Sequence, residues 1–192
     1  MGSITTWFTF QMGFIPQWNH HPLLRHAYVV MKQKVKYMPA GFHAVTPYLT
    51  VRNAAQAIEF YQRAFGARER VRMPTPDGKV GHAELQIADS IIMLGEECPD
   101  YGNVSPQTLE GSPVGLALYV ENVDTAFERA VDAGATVKEA VSDKFWGDRA
   151  GSLTDPYGHK WMLLTHVEDV SPEDMKKRMR EAFSMASAGN KT

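Results

Sequence analysis

From His43 to His166 the chain repeats one arrangement of apolar and polar positions. An extended run, His43–Val51, passes through Val51-Arg52-Asn53 into Ala54–Phe65, where Ala57, Ile58, Tyr61, Ala64 and Phe65 return at helical spacing ahead of Gly66-Ala67. The second copy runs Val114–Val120, then Val120-Glu121-Asn122, then Val123–Ala133 with Val123, Ala126, Phe127, Ala130 and Val131, then Gly134-Ala135. Each copy puts Asn where a helix N-cap accepts from an orphan backbone N–H, and Gly where the helix end wants a left-handed residue. The pattern predicts two amphipathic helices, each laying one face against a sheet.

Three strand-like segments follow each helix, at about 67–73, 79–88 and 90–96 and again at about 136–141, 146–154 and 160–166. The chain therefore reads strand–helix–strand–strand–strand twice, an α+β arrangement, with the Pro- and Gly-bearing segment 97–112 as the linker. Neighbours along a strand point to opposite faces. In Gly81–Ile87 the set Ala83, Leu85 and Ile87 must meet the helices, which leaves His82, Glu84 and Gln86 on the other side. In the first strand Val45, Pro47, Leu49 and Val51 go to the helices and Thr46, Tyr48 and Thr50 oppose them. In the fifth, Val114, Leu116, Leu118 and Val120 go inward, leaving Gly115, Ala117 and Tyr119.

The last two strands form a hairpin, Phe145–His166, closed by Asp155-Pro156-Tyr157-Gly158; Pro presets the second turn position and Gly supplies the positive φ of the exit. This hairpin and the repeat resemble the vicinal-oxygen-chelate superfamily of glyoxalases, ring-cleaving dioxygenases and antibiotic-resistance proteins. Within it the chain looks most like the PhnB-like, glyoxalase-like subgroup, over about Phe42–Asp169. The resemblance implies the glyoxalase/bleomycin-resistance fold: two βαβββ modules, 42–96 and 113–166, forming a curled mixed sheet around a cavity, plus a C-terminal helix. It also implies a homodimer, since related proteins often complete their cavities across two chains.

On that architecture the cavity inherits Tyr48, His82, Glu84 and Tyr119, with Trp146, Asp148 and Arg149 joining from the closing hairpin. Metal-bearing members of the superfamily draw His and Glu ligands from the first and last strands of each module. Counted onto this chain, those positions fall on Thr46, on Met93 or Leu94, on Gly115 and on Met162. None suits a hard or borderline cation, so no metal cofactor is expected.

Two functions of different class follow. One is a metal-free binder of a small-molecule ligand, as the bleomycin-resistance members are, with Thr46 and Met162 among the cavity positions. Tyr48, Tyr119 and Trp146 would supply the stacking surface and Arg149 a charge for an anionic group. The other is a glyoxalase-like lyase or related enzyme in which His82 and Glu84 act as an acid–base pair or as rearranged metal ligands. His43 and His159 read as ordinary surface histidines, and Cys98, beside Pro99, as an inert thiol.

The remaining segments and the composition alter little. Residues 1–41 follow no repeat: they mix aromatics with His20-His21-Pro22 and the basic run Lys32–Lys36, and are expected to be weakly structured or not native, with Met38 as the alternative start that would leave out residues 1–37. Ser171-Pro172-Glu173-Asp174 has the marks of a helix start, and Met175, Met179, Ala182, Phe183 and Ala186 form an apolar stripe. A helix over 170–188 is expected to pack on its own domain or on a dimer partner. A formal net charge of −2 offers no field for nucleic acid. One cysteine forms no intramolecular disulfide and agrees with a cytoplasmic location. No apolar run approaches the roughly 18 residues a membrane span needs.

Overall fold

In a computed structural model the elements run β1 (Tyr48–Val51), α1 (Ala54–Phe65), β2 (Arg68–Pro74), β3 (Val80–Ile87), β4 (Ser90–Glu96), β5 (Gly115–Tyr119), α2 (Val123–Asp132), β6 (Thr136–Asp143), β7 (Asp148–Thr154), β8 (Lys160–His166) and α3 (Pro172–Gly189). The structure describes residues 35–189, with side chains through 184. The expectation for the N-terminal extension therefore lies almost wholly outside the described residues. A compact unit begins at Met38.

Two four-stranded mixed sheets, ordered β1-β4-β3-β2 and β5-β8-β7-β6, make the two βαβββ modules. In each, the strand before the helix runs parallel to the last strand of its module, and the other neighbours are antiparallel. The pairings put matching rows across the two sheets: Tyr48 beside Met93 beside Glu84 in the first, and Ala117 beside Met162 beside Ser152 in the second.

Both predicted N-caps form. Asn53 Oδ1 accepts from Gln56 N at 3.3 Å, and Asn122 Oδ1 from Thr125 N at 3.0 Å. The last strand of each module adds a second cap: the Glu96 carboxylate accepts from Asn53 N and Ala54 N at 2.7 and 2.8 Å, and Thr165 Oγ1 accepts from Val123 N at 2.9 Å. Because α1 has no acid in its own first turn, β4 supplies the negative charge that a helix N-terminus favours. At the other end α1 stops on Gly66, whereas α2 stops on Ala133, one residue before Gly134.

The buried helix face is the predicted one in the first module, where Ala57, Ile58, Tyr61 and Ala64 have no exposed surface. Burial on β3 alternates as expected, with Ala83, Leu85 and Ile87 inside and His82, Glu84 and Gln86 half-buried. Two expectations need correction. Val45 is 85% exposed because β1 begins only at Tyr48, so alternation does not yet govern that position. Val114 is 63% exposed, one residue before β5, and Leu116 and Leu118 are only half-buried. The apolar stripe of α3 is also largely outside the core: Met179 and Phe183 are exposed, and Arg178 of the helix pairs with Glu168 at 2.6 Å. No helix of the described residues is long and apolar enough to cross a membrane.

One carboxylate joins the modules. Asp155, at the closing turn between β7 and β8, is 4% exposed. Its Oδ2 accepts from Tyr61 Oη of α1 at 2.7 Å and from Trp161 Nε1 at 2.9 Å, while Oδ1 accepts from Tyr157 N and His159 N at 2.9 Å. Burial, the Asp155 charge and this hydrogen bond push the Tyr61 hydroxyl well above the ordinary tyrosine range. Phe65 packs against Trp161 with ring centroids 4.6 Å apart and planes tilted by 48°. The turn has the predicted form, with Gly158 at φ 88° and its N–H donating to Asp155 O at 3.0 Å. His159 is 9% exposed rather than on the surface, since its ring Nε2 lies 3.1 Å from Thr50 O of β1.

The linker is anchored the same way, on Glu97, whose carboxylate accepts from Thr108 Oγ1 at 2.5 Å, Ser105 Oγ at 2.7 Å and Arg52 Nε at 2.7 Å.

Two outcomes follow. Asp155→Ala strips four donors of one acceptor, three of them within the closing hairpin, and is expected to lower the unfolding free energy by about 3 kcal/mol or more in urea titration. The hydrogen bonds from Thr108 and Ser105, followed by Arg52, hold the Glu97 carboxyl at about 2 instead of 4.5. A depressed carboxylate stabilises the fold above its unfolded value and loses that contribution as pH falls through its folded value. Glu97→Gln is therefore expected to flatten the acid limb of the stability profile between pH 4.5 and about 2, read by circular dichroism.

Candidate functional site

On the open face of the first sheet, away from the helices, Tyr48 lies across β4 to reach β3. Its hydroxyl is 3.2 Å from His82 Nδ1, and the two rings are 5.7 Å apart. Gly95 makes the crossing possible, for a Cβ there would stand 3.1 Å from Tyr48 Oη and 2.6 Å from Gly81 O. His82 Nε2 then stands 3.8 Å from Glu84 Oε1, an ion-pair distance too long for a hydrogen bond. Both side chains keep some exposure, 24% for His82 and 18% for Glu84. Tyr48, His82, Glu84 and Met93 thus share one accessible polar patch, and three of these were candidate residues of the sequence.

The second sheet carries a different surface. Its equivalent row, Ala117–Met162–Ser152, has no ionisable group. A groove of about 460 Å³ lies over it, lined by Ala117, Met162, Ser152, Thr154, Lys138 and Lys160. Another, of about 310 Å³, runs along the seam between the modules, with Tyr48 and Thr50 on one wall and Val114 and Leu116 on the other.

Farther along the same sheet, Asp148 is 3% exposed and gathers three partners: Tyr119 Oη at 3.0 Å, Trp146 Nε1 at 2.9 Å and His166 Nδ1 at 2.7 Å. His166 Nε2 stands 3.0 Å from Asp169 Oδ1. Burial opposes ionisation of Asp148, but the hydrogen bonds from His166, Tyr119 and Trp146 outweigh it and hold the carboxyl below its ordinary range. The bonds to Asp148 and then Asp169 raise His166 above its ordinary 6.5, and carboxylates at both ring nitrogens favour the imidazolium. Tyr119, Trp146 and Asp148 are among the cavity candidates of the sequence; His166 is not. The signal was available, because stepping by two along β8 from Met162 through Leu164 arrives at His166, opposite Asp148.

Arg149 is the clearest correction. Adjacent strand residues point to opposite faces, so with Asp148 on the open side Arg149 faces α2. There its guanidinium pairs with both oxygens of Asp124 at 2.7 and 2.8 Å and with Asp143 at 3.0 Å. It has no free fork to offer a ligand. Thr46 precedes β1, and its hydroxyl donates to His43 O at 3.0 Å. The positions that the family resemblance assigns to metal ligands are Thr46, Met93 or Leu94, Gly115 and Met162. Among the described residues no three His, Cys, Asp or Glu side chains converge as a cation site requires.

Residues 41–163 match the sequence profile of the Glyoxalase/Bleomycin resistance protein/Dioxygenase superfamily, and the chain belongs to that family. An uncharacterized protein of Mycobacterium bovis is 43% identical over 139 residues, covering 71% of this chain and 91% of the relative. Among solved structures, TioX from Micromonospora sp. ML1 superposes with a TM-score of 0.54 at 26% identity, over 65% of this chain and 99% of that one. The PhnB protein from Bacillus cereus superposes at 0.51 with 19% identity, over 64% and 99%, a likeness of fold alone.

A group whose folded pKa is raised stabilises the fold fully below its unfolded value and loses that contribution as pH rises through the folded value. His166 is therefore expected to titrate above 6.5 when its imidazole resonances are followed by NMR. Asp169→Asn, at an exposed position, should bring that midpoint down without unfolding the protein.

Proposed function

We propose that this protein binds a small organic molecule on the open faces of its two modules, without a metal ion. The observation that carries the proposal is the pair of matching rows, Tyr48–Met93–Glu84 and Ala117–Met162–Ser152, of which the second has no His, Cys, Asp or Glu. What remains suits a ligand with a polar end and an apolar body: Tyr48 and His82 as hydrogen-bonding groups on one sheet, and an uncharged floor on the other. The aromatic surfaces of Tyr48 and Tyr119, each more than half exposed, offer stacking area. The same proposal includes a homodimer and a cytoplasmic location; light scattering on the eluting protein tests the first.

A second reading, an acid–base enzyme, is favoured by one contact set. His82 sits between the Tyr48 hydroxyl at 3.2 Å and the Glu84 carboxylate at 3.8 Å, an arrangement able to take up a proton and pass it on. The two readings part on His82→Gln, which leaves a binder's affinity within a few-fold but removes turnover from an enzyme.

Metal analysis by mass spectrometry tests the primary reading on the full chain carrying His20→Ala and His21→Ala, purified without chelators. The expected result is metal far below one equivalent and ligand affinity unchanged by EDTA. Near-stoichiometric metal that disappears with His82→Ala would overturn it.

A further inference from the structure

The groove on the second sheet has more chemistry than its apolar floor. Lys138 and Lys160 both line it, and neither ammonium has an acidic or hydrogen-bonding partner among the described residues. The nearest acid along β6, Glu139, is taken by Lys144. Ser152 Oγ and Thr154 Oγ1 line the same groove and likewise make no hydrogen bond among the described residues. No Asp or Glu contributes to the lining.

Register explains the convergence. Lys160 pairs with Thr154 across β7 and β8, Met162 with Ser152 one step on, and Lys138 occupies the register shift between Val137 and Glu139 opposite Leu153 and Ser152. Four uncommitted donors, two of them cationic, therefore border a patch made of Ala117 and Met162. Like charges with no counter-ion on one rim repel, and an anion seated between them relieves that repulsion while accepting from the hydroxyls. A volume of about 460 Å³ falls in the range of small-molecule sites.

We propose that this groove binds an amphipathic organic anion, its aromatic or aliphatic body on Ala117 and Met162 and its anionic group held by Lys138, Lys160, Ser152 and Thr154. This names the ligand class for the second sheet and rests on the reading that the open faces hold a small molecule. Carboxylates and phosphate monoesters share the required chemistry.

Isothermal titration of the full chain with 2-naphthoate, 2-naphthyl phosphate and the neutral isostere 2-naphthamide tests it. The expected result is binding of at least one anion about tenfold or more tighter than the amide, with the better anion identifying the headgroup. Lys138→Gln and Lys160→Gln, both exposed, should each weaken the anion about threefold and together erase the preference, with thermal midpoints unchanged. Ala117→Trp should fill the floor and abolish binding of all three. Equal affinity for anion and amide, or lysine variants that bind like the parent, overturns the anion class while leaving small-molecule binding standing. No binding of any probe overturns the site itself.

Discussion

The fold depends on a carboxylate that almost no water reaches. Asp155 accepts two backbone N–H groups of its own turn and the polar ends of Tyr61 and Trp161, so one side chain shapes the last hairpin and ties the first helix to it. Buried ionised groups are costly unless every lone pair finds a donor, and here four donors meet two oxygens. His159, lodged beside Thr50 O, and Arg129, whose Nε donates to Ala64 O at 2.8 Å, extend the same seam. The relation between the two modules is thus set by these polar contacts together with the aromatic packing of Phe60, Tyr61 and Phe65 against Tyr157 and Trp161.

With the backbone arrangement held in this way, the two open faces are free to differ. The repeat places corresponding residues in corresponding rows, yet one row carries tyrosine and glutamate and the other alanine and serine. The family fold supplies a pair of templates; in this chain the central row carries ionisable groups on the first, while on the second an apolar floor is bordered by lysines on one side and leads to the Asp148–His166 pair farther along.

Much of this was legible in the amino-acid sequence. Helical spacing between Asn and Gly located both helices, and alternation on β3 sorted His82 and Glu84 from Ala83 and Leu85 because the strand lies entirely inside regular pairing. Alternation misled at Val45 and Val114, which stand just outside their strands. Arg149 was misplaced by grouping a whole hairpin arm with the cavity, when its neighbour Asp148 already claimed the open side. Asp155 was read only as a turn residue, and no local pattern shows that Tyr61, ninety-four positions away, reaches it. Contacts of that range are set by how the modules meet, and neither composition nor periodicity encodes that directly.

The crossing of Tyr48 over Gly95 has an evolutionary corollary. A side chain at 95 would press on the Tyr48 hydroxyl at 3.1 Å, a contact the end of the tyrosine can relieve by shifting a few tenths of an ångström. Replacing the tyrosine relieves only half of the conflict, because Gly81 O would still crowd a Cβ at 2.6 Å. Divergence can therefore erase the aromatic bridge more readily than the glycine beneath it, which the backbone of β3 requires with or without the tyrosine.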